Sequence, residues 1–222
     1  MPDVTLTFDN GPTPGVTEAV LDVLSKHGVR STFFVVGMKL AEPGAYELAQ
    51  RAHGEGHWIG NHTWSHPDPF GQWPNTSDPS QEILKTQELI GPLAHRDRLF
   101  RPPGGGGHLD KRLLNVRALE CVKRQAMTLV LWNAIPRDWD NPDGWVETAL
   151  QQIRTSEWAL VVLHDMDTGA MRNLSRFMDA VVEEGGRFRQ DFPPDCVPVL
   201  RGRSHGSIEG YVTMERGEET IL

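Results

Sequence analysis

The sequence predicts an α/β fold, a distorted (β/α) barrel with about seven strands. Three observations predict it. Short apolar runs of strand length alternate with amphipathic stretches of helix length through most of the chain. No repeat, low-complexity tract or linker interrupts that alternation. A chain of 222 residues with 38% hydrophobic content fits one core better than two. Strand–helix alternation implies parallel strands with crossover helices, and about six or seven such units favour a barrel. An open doubly wound sheet is the alternative. The expected division is one domain over 1–205 and a C-terminal tail over 206–222.

The elements follow in order. Residues 4–8, Val-Thr-Leu-Thr-Phe, read as a strand, and residues 17–27 as a helix with Ala19, Val20, Val23 and Leu24 on one face. Gly28 stands where a helix end wants a residue at positive φ. Residues 31–36 are β-rich, 45–53 helical, 57–60 a short strand and 79–89 a helix. The alternation returns with a helix over 109–120, a strand over 126–132, a helix over 145–155, a strand over 159–163 and a helix over 174–184. Beyond it, residues 211–214 form either one more strand or part of a loose tail.

Composition excludes several classes. The formal charge is 22 − 30 = −8, which argues against nucleic acid, because phosphate binding needs clustered Lys and Arg. It argues equally against docking on anionic lipid. Cys121 and Cys196 lack metal-like spacing and are expected to be reduced and buried. No apolar run approaches membrane-spanning length, and no charged segment followed by an apolar stretch opens the chain. A cytoplasmic protein is expected, although a chain trimmed of an export signal would look the same.

In a (β/α) barrel, chemistry gathers at the C-terminal ends of the strands. Polar, titratable residues recur there: Asp9 and Asn10, His62 and His66, Arg101, Asp138 with Trp139, and His164 with Asp165. His62 and His66 stand at i, i+4, which on one helical turn lets two imidazoles share a cation. Two unrelated surface histidines would look the same. The Asp9-Asn10-Gly11-Pro12 segment could hold side chains at the barrel mouth or be plain turn chemistry. Arg101 sits on a stiff Pro-Pro turn that opens a run of four glycines, 104–107, whose backbone N–H groups could reach an oxyanion. A flexible surface loop is the plainer reading. A His beside a buried carboxylate, as His164 and Asp138 could be, can donate a proton to a leaving group. Of the tryptophans near the mouth, Trp64, Trp73 and Trp145 read as core, and Trp139 as a sugar-stacking candidate.

Taken together, these segments resemble the polysaccharide-deacetylase family, the NodB-homology domain of carbohydrate esterase family 4. The resemblance rests on Thr7-Phe8-Asp9-Asn10-Gly11-Pro12, on 26–37, on the block 56–67, on Phe100-Arg101-Pro102-Pro103-Gly104, on Asp138-Trp139 and on Val162-Leu163-His164. It covers residues 4 to about 190. It implies a hydrolase that removes acyl groups from N-acetylated sugars or a related acylated amine. Asp9 matches the general base, Arg101 the arginine that orients it, and His164 the general acid. Asp138 matches the carboxylate that tunes that acid. Trp139 is the aromatic beside Asp138. His62 and His66 match two ligands of a divalent cation, Zn²⁺ foremost, with Co²⁺ or Ni²⁺ as alternatives. Gly104 falls at the oxyanion position, and Val162 stands where the family usually has the Leu of Leu-x-His, a change that should keep the pocket apolar.

Asn10 departs from that pattern. The family has an Asp there as the third ligand, and an amide oxygen brings no charge. A loss of at least a few-fold to about a hundred-fold in cation affinity is expected, by analogy with the ~10–100-fold effects of changes around metal ligands. Asp68 and Asp165 are the carboxylates that could approach as substitutes, while His57 and Asn61 receive no role. Three readings follow from the resemblance. The first is a metal-assisted deacetylase, the second a metal-weak or metal-independent hydrolase of a small or cyclic amide, and the third a non-catalytic glycan binder. The substrate is an N-acetylated carbohydrate or small acylated amine, with no nucleic acid and no membrane partner, and the sequence leaves the oligomeric state open.

Overall fold

The computed structural model describes residues 2–74 and 76–213. Strand β1 (Asp3–Asp9) is buried along nearly its whole length, as a strand covered on both faces must be. Helix α1 (Val16–His27) follows, and Gly28 at φ 66° ends it. Next come β2 (Thr32–Val35), a short α2 (Gly37–Leu40), α3 (Ala45–Gly54) and β3 (Trp58–Asn61). Helix α4 (Ser80–Ile90) leads to β4 (Leu99–Phe100), β5 (Leu114–Asn115) and α5 (Val116–Arg124). Then β6 (Thr128–Leu129), α6 (Trp145–Arg154), β7 (Trp158–His164) and α7 (Leu174–Glu183) complete the alternation. Four short strands close the described chain: β8 (Arg187–Arg189), β9 (Val199–Leu200), β10 (Arg203–Ser204) and β11 (Val212–Thr213).

The strands β7-β1-β2-β3-β4-β6 are parallel neighbours. Past β6 the backbone crosses to β7: Ala134 bridges Val161 in parallel, Ala134 N–H donates to Leu160 O and Val162 N–H donates to Ala134 O. That link closes six strands into a distorted barrel. A seventh parallel strand, β8, pairs with Asp3–Thr5 at the start of β1, while β2 takes Thr7–Asp9. Alternation along the strands sorts side chains into two layers. Leu6, Phe8, Phe33, Val35, Val161 and Leu163 join the cluster that contains α1, α6 and α7. Phe34, Phe100, Leu129, Leu160 and Val162 join the other.

Two local expectations are corrected and one open alternative is decided. The helix expected over 109–120 begins only at Val116, because Asn115 caps it by accepting from Ala118 N–H at 2.9 Å. The strand expected over 126–132 keeps only Thr128 and Leu129 in ladder. Val130 and Leu131 instead donate to Phe100 O and Cys196 O as the wall turns. In the tail, Val212–Thr213 pairs in parallel with β5, and Ile208 and Val212 are buried in the second cluster. Met214, expected to extend that strand, lies outside the described residues. Both cysteines are buried and free. No helix among the described residues is long and apolar enough to cross a membrane.

Candidate active site

Strand register assembles the site. In the β1–β7 pairing Asp9 stands opposite His164, so two titratable residues end adjacent strands at one level. On the other side, Val35 pairs with Asn61 and Asn61 with Phe100, which brings His62 and Arg101 side by side just past the ends of neighbouring strands. A cavity of about 230 Å³ opens there, lined among others by Asp9, Asn10, His62, His66, Gly104, Trp139, Val162 and His164. Arg101 and Asp138 are fully buried behind it.

Arg101 is held on every side. Nη1 donates to Asp9 Oδ1 at 2.8 Å and to Thr7 Oγ1 at 2.7 Å, while Nε and Nη2 donate to Val130 O and Leu131 O. Its guanidinium carbon also lies 4.2 Å from the Phe34 ring centre. A buried guanidinium with this many partners fixes the Asp9 carboxyl in one orientation.

His164 and Asp138 form the second couple. The backbone N–H of His164 donates to Asp138 Oδ2 at 2.9 Å, and Nδ1 lies 2.8 Å from Oδ1. Burial pushes the imidazole down, but the hydrogen bond and charge of Asp138, helped by Asp9 and Asp165, outweigh it and raise its pKa. The Trp139 ring meets the imidazole edge-on, with centroids 4.7 Å apart.

His62 and His66 do not share a helical turn, contrary to the spacing argument. They lie on a loop in which Thr63 and His66 both have positive φ. Glu82 of α4 pins that loop by accepting from Trp64 N–H and Ser65 N–H. The rings still meet, with centroids 5.0 Å apart. His62 Nδ1 donates to Arg101 O at 2.8 Å, which leaves the Nε2 lone pair toward Asp9 Oδ2 at 3.7 Å. Burial, opposed by Asp9, pushes His62 down to about 3, so it is neutral near pH 7. Desolvation of its inward edge also lowers His66, whose outer face is open to solvent at the rim.

Asn10 has φ 72°, a conformation asparagine tolerates better than most residues. Its Nδ2 donates to Met166 Sδ at 3.5 Å, and its Oδ1 is buried without a partner. Neutral imidazole, a backbone carbonyl behind it, and an unsatisfied amide oxygen make a donor set that suits a divalent cation. Among the described residues no group of three His, Cys, Asp or Glu that could hold a metal ion is present. Neither Asp68 nor Asp165 supplies the missing carboxylate. Asp68 is exposed, with its carbonyl accepting from Trp73 Nε1. Asp165 is buried, accepts from Thr17 Oγ1 at 2.5 Å and packs against Gly11, where a Cβ would lie 2.0 Å from its Oδ2. Burial, partly offset by Thr17, pushes Asp165 up to about 7.

Several contributors escaped the sequence reading. Trp132, Ile135 and Met166 line the cavity, and Trp132 lies so close to Gly104 that a Cβ there would be 2.6 Å from its ring. Thr7 holds Arg101. An apolar residue at a strand end carries no local signal of a site; only the inward phase of Thr7 relative to Asp9 could have indicated it. His57 and Asn61, left without a role, are structural: His57 Nδ1 accepts from Ser31 N–H, and Asn61 bridges Ile83 O and Thr63 N–H. Trp145 is core, as expected, whereas Trp64 lies under Lys85 and Trp73 against Phe70 at partly open positions.

A barrel mouth lined by Asp9, His62, His66 and His164, with Arg101 and Asp138 buried behind them, gathers the titratable groups that a hydrolase site would use. A family model described as polysaccharide deacetylase matches residues 1–123, more than half of the 222 residues. The chain is 36% identical over 169 residues to a chitooligosaccharide deacetylase of Rhizobium leguminosarum bv. phaseoli, covering 74% of this chain and 68% of that one. It is 29% identical over 187 residues to the peptidoglycan-N-acetylglucosamine deacetylase PgdA of Listeria monocytogenes serotype 1/2a (strain 10403S). That match covers 83% of this chain and 37% of the relative, so the chain spans little more than a third of the relative's length. Among solved structures, a family 4 carbohydrate esterase from Streptomyces lividans in complex with acetate gives a TM-score of 0.70 at 27% identity, over 89% of this chain and 97% of that one. The chain belongs to the polysaccharide deacetylase family. Enzymes of that family are in general metal-dependent.

Proposed function

We propose that the protein is a hydrolase that removes acetyl groups from N-acetylated sugars of the chitooligosaccharide or peptidoglycan kind. The observation that carries this reading is the pair of couples facing one cavity, Asp9 with Arg101 and His164 with Asp138. His62, His66 and Asn10 would hold a divalent cation, Zn²⁺ foremost. Such a cation, when bound, supplies Lewis-acid polarisation of water and of the acyl oxygen. Asp9, oriented by Arg101, takes the proton of the attacking water as its oxygen adds to the acyl carbon. The N–H of Gly104 donates to the developing oxyanion. His164, kept protonated by Asp138, gives its proton to the nitrogen as the C–N bond breaks, leaving acetate and a free amine. Val162 and Trp132 keep the acyl side apolar, and Trp139 offers an aromatic face at the rim.

Acetate release from N-acetylchitooligosaccharides, with and without EDTA and Zn²⁺ add-back, tests the proposal. Release that EDTA abolishes and Zn²⁺ restores is the expected outcome. No release under any cation would sink it. One observation favours a second reading: the missing third carboxylate suits a hydrolase of small amides with little need of metal. Release from small N-acyl amines that EDTA leaves untouched would select it.

A further inference from the structure

The two ends of the Asn10 amide are treated differently by their surroundings. Its Nδ2 donates to Met166 Sδ, while its Oδ1 is buried and unpartnered on the wall that includes His62 and His66. A carboxylate at this position would need no orientation, because its two oxygens are equivalent. An amide does need one, since only the oxygen can ligate a cation and the NH₂ end cannot. A thioether accepts hydrogen bonds and donates none. A flipped amide would set Oδ1 against Met166 Sδ, acceptor against acceptor, and put its NH₂ in the place of the unpartnered oxygen. The backbone of Asn10, fixed at φ 72°, gives the side chain little freedom to escape that choice.

We propose that Met166 is a positioning residue that selects the ligating sense of the Asn10 amide, a function specific to a chain with Asn at this place. The proposal rests on the reading of His62, His66 and Asn10 as a cation site, and it does not depend on the substrate. Calorimetric titration of Zn²⁺ into the metal-stripped full chain tests it. Met166→Leu, close in shape but without an acceptor, should weaken Zn²⁺ binding about ten-fold, the lower end of what outer-sphere partners of metal ligands contribute. Met166→Gln, whose side-chain carbonyl can accept from Nδ2, should restore binding to within about two-fold of the parent. In an Asn10→Asp background, where orientation no longer matters, Met166→Leu should change affinity by less than about two-fold.

An equal loss from Met166→Leu in both backgrounds would mean simple packing and overturn the proposal. So would no loss in the Asn10 background, or a parent that takes up no Zn²⁺ while Asn10→Asp does. Acetate release is read separately. Failure of deacetylation with the coupling intact overturns the substrate reading alone.

Discussion

The two sides of the barrel mouth are built on opposite electrostatic plans. On one side stand Asp9–Arg101 and Asp138–His164, two buried ionic couples whose polar atoms are nearly all engaged. On the other stand His62, His66, Asn10 and Met166, uncharged near pH 7, with an amide oxygen left unpartnered. The saturated side holds its charged groups in fixed orientations, which is what the proposed base and acid need before each proton transfer. The unsaturated side keeps lone pairs free, which is what a ligand set requires. In this chain that side also lacks the carboxylate that would add charge to it. On the proposed reading the acid–base half is complete by itself, while the ligand half would depend on the sense of one amide.

Breaking the saturated side should have the largest effect. Asp9→Asn is expected to cut the deacetylation rate by about 10²–10⁴-fold, the usual scale for a general base, with Zn²⁺ affinity changed far less. Kinetics and calorimetry on the same preparation check it, and a parallel collapse of both would mean the two halves are not separable. The neutral side should respond the other way. Asn10→Asp is expected to tighten Zn²⁺ about 10–100-fold, and equal affinities would remove Asn10 from the ligand set.

Asp138→Asn sharpens the comparison by pH. His164 has a raised pKa, so the acid is competent at low pH and activity falls as pH rises through that value. Without the Asp138 charge the pKa drops, and the basic limb of the rate profile should move to lower pH; an unmoved limb would free His164 from Asp138 control. The smallest effect is expected outside both halves. Asp165, at 3.8 unfolded and about 7 folded, favours folding only where it is protonated. Its unfolded form ionises first, so stability is lost progressively as pH rises from about 4 to 7. Asp165→Asn removes that loss and should raise the melting temperature relative to the parent more at pH 8 than at pH 4. An equal difference at both would show that Asp165 does not titrate in this range.

Much of this arrangement is written in local sequence. The apolar run at 4–8, the helical face of Val20 and Leu24, and Gly28 with its positive φ specify their elements without help, because each depends on neighbours within a few residues. The recurrence of polar residues just after strands, from Asp9 to His164, marks one end of the barrel as the place of chemistry. The positions of His62 and Arg101 relative to Asp9 follow from register, and register is a tertiary quantity. The helix at 109–120 was misplaced because Asn115 caps it only when β5 has ended, and β5 exists through its pairing with β11 nearly a hundred residues away.

By itself the sequence determined the alternating α/β plan, the acid, base and histidine candidates, and the oddity of Asn10. Only the tertiary structure decided that the histidine pair sits on a loop pinned by Glu82 and that Thr7 and four other groups immobilise Arg101. It also placed Met166 against the Asn10 amide and Asp165 against Thr17 and Gly11. The physical reason is range. Propensity, capping and periodicity act over a few residues, whereas hydrogen bonds and desolvation act on whatever the closing barrel brings within about 3–4 Å.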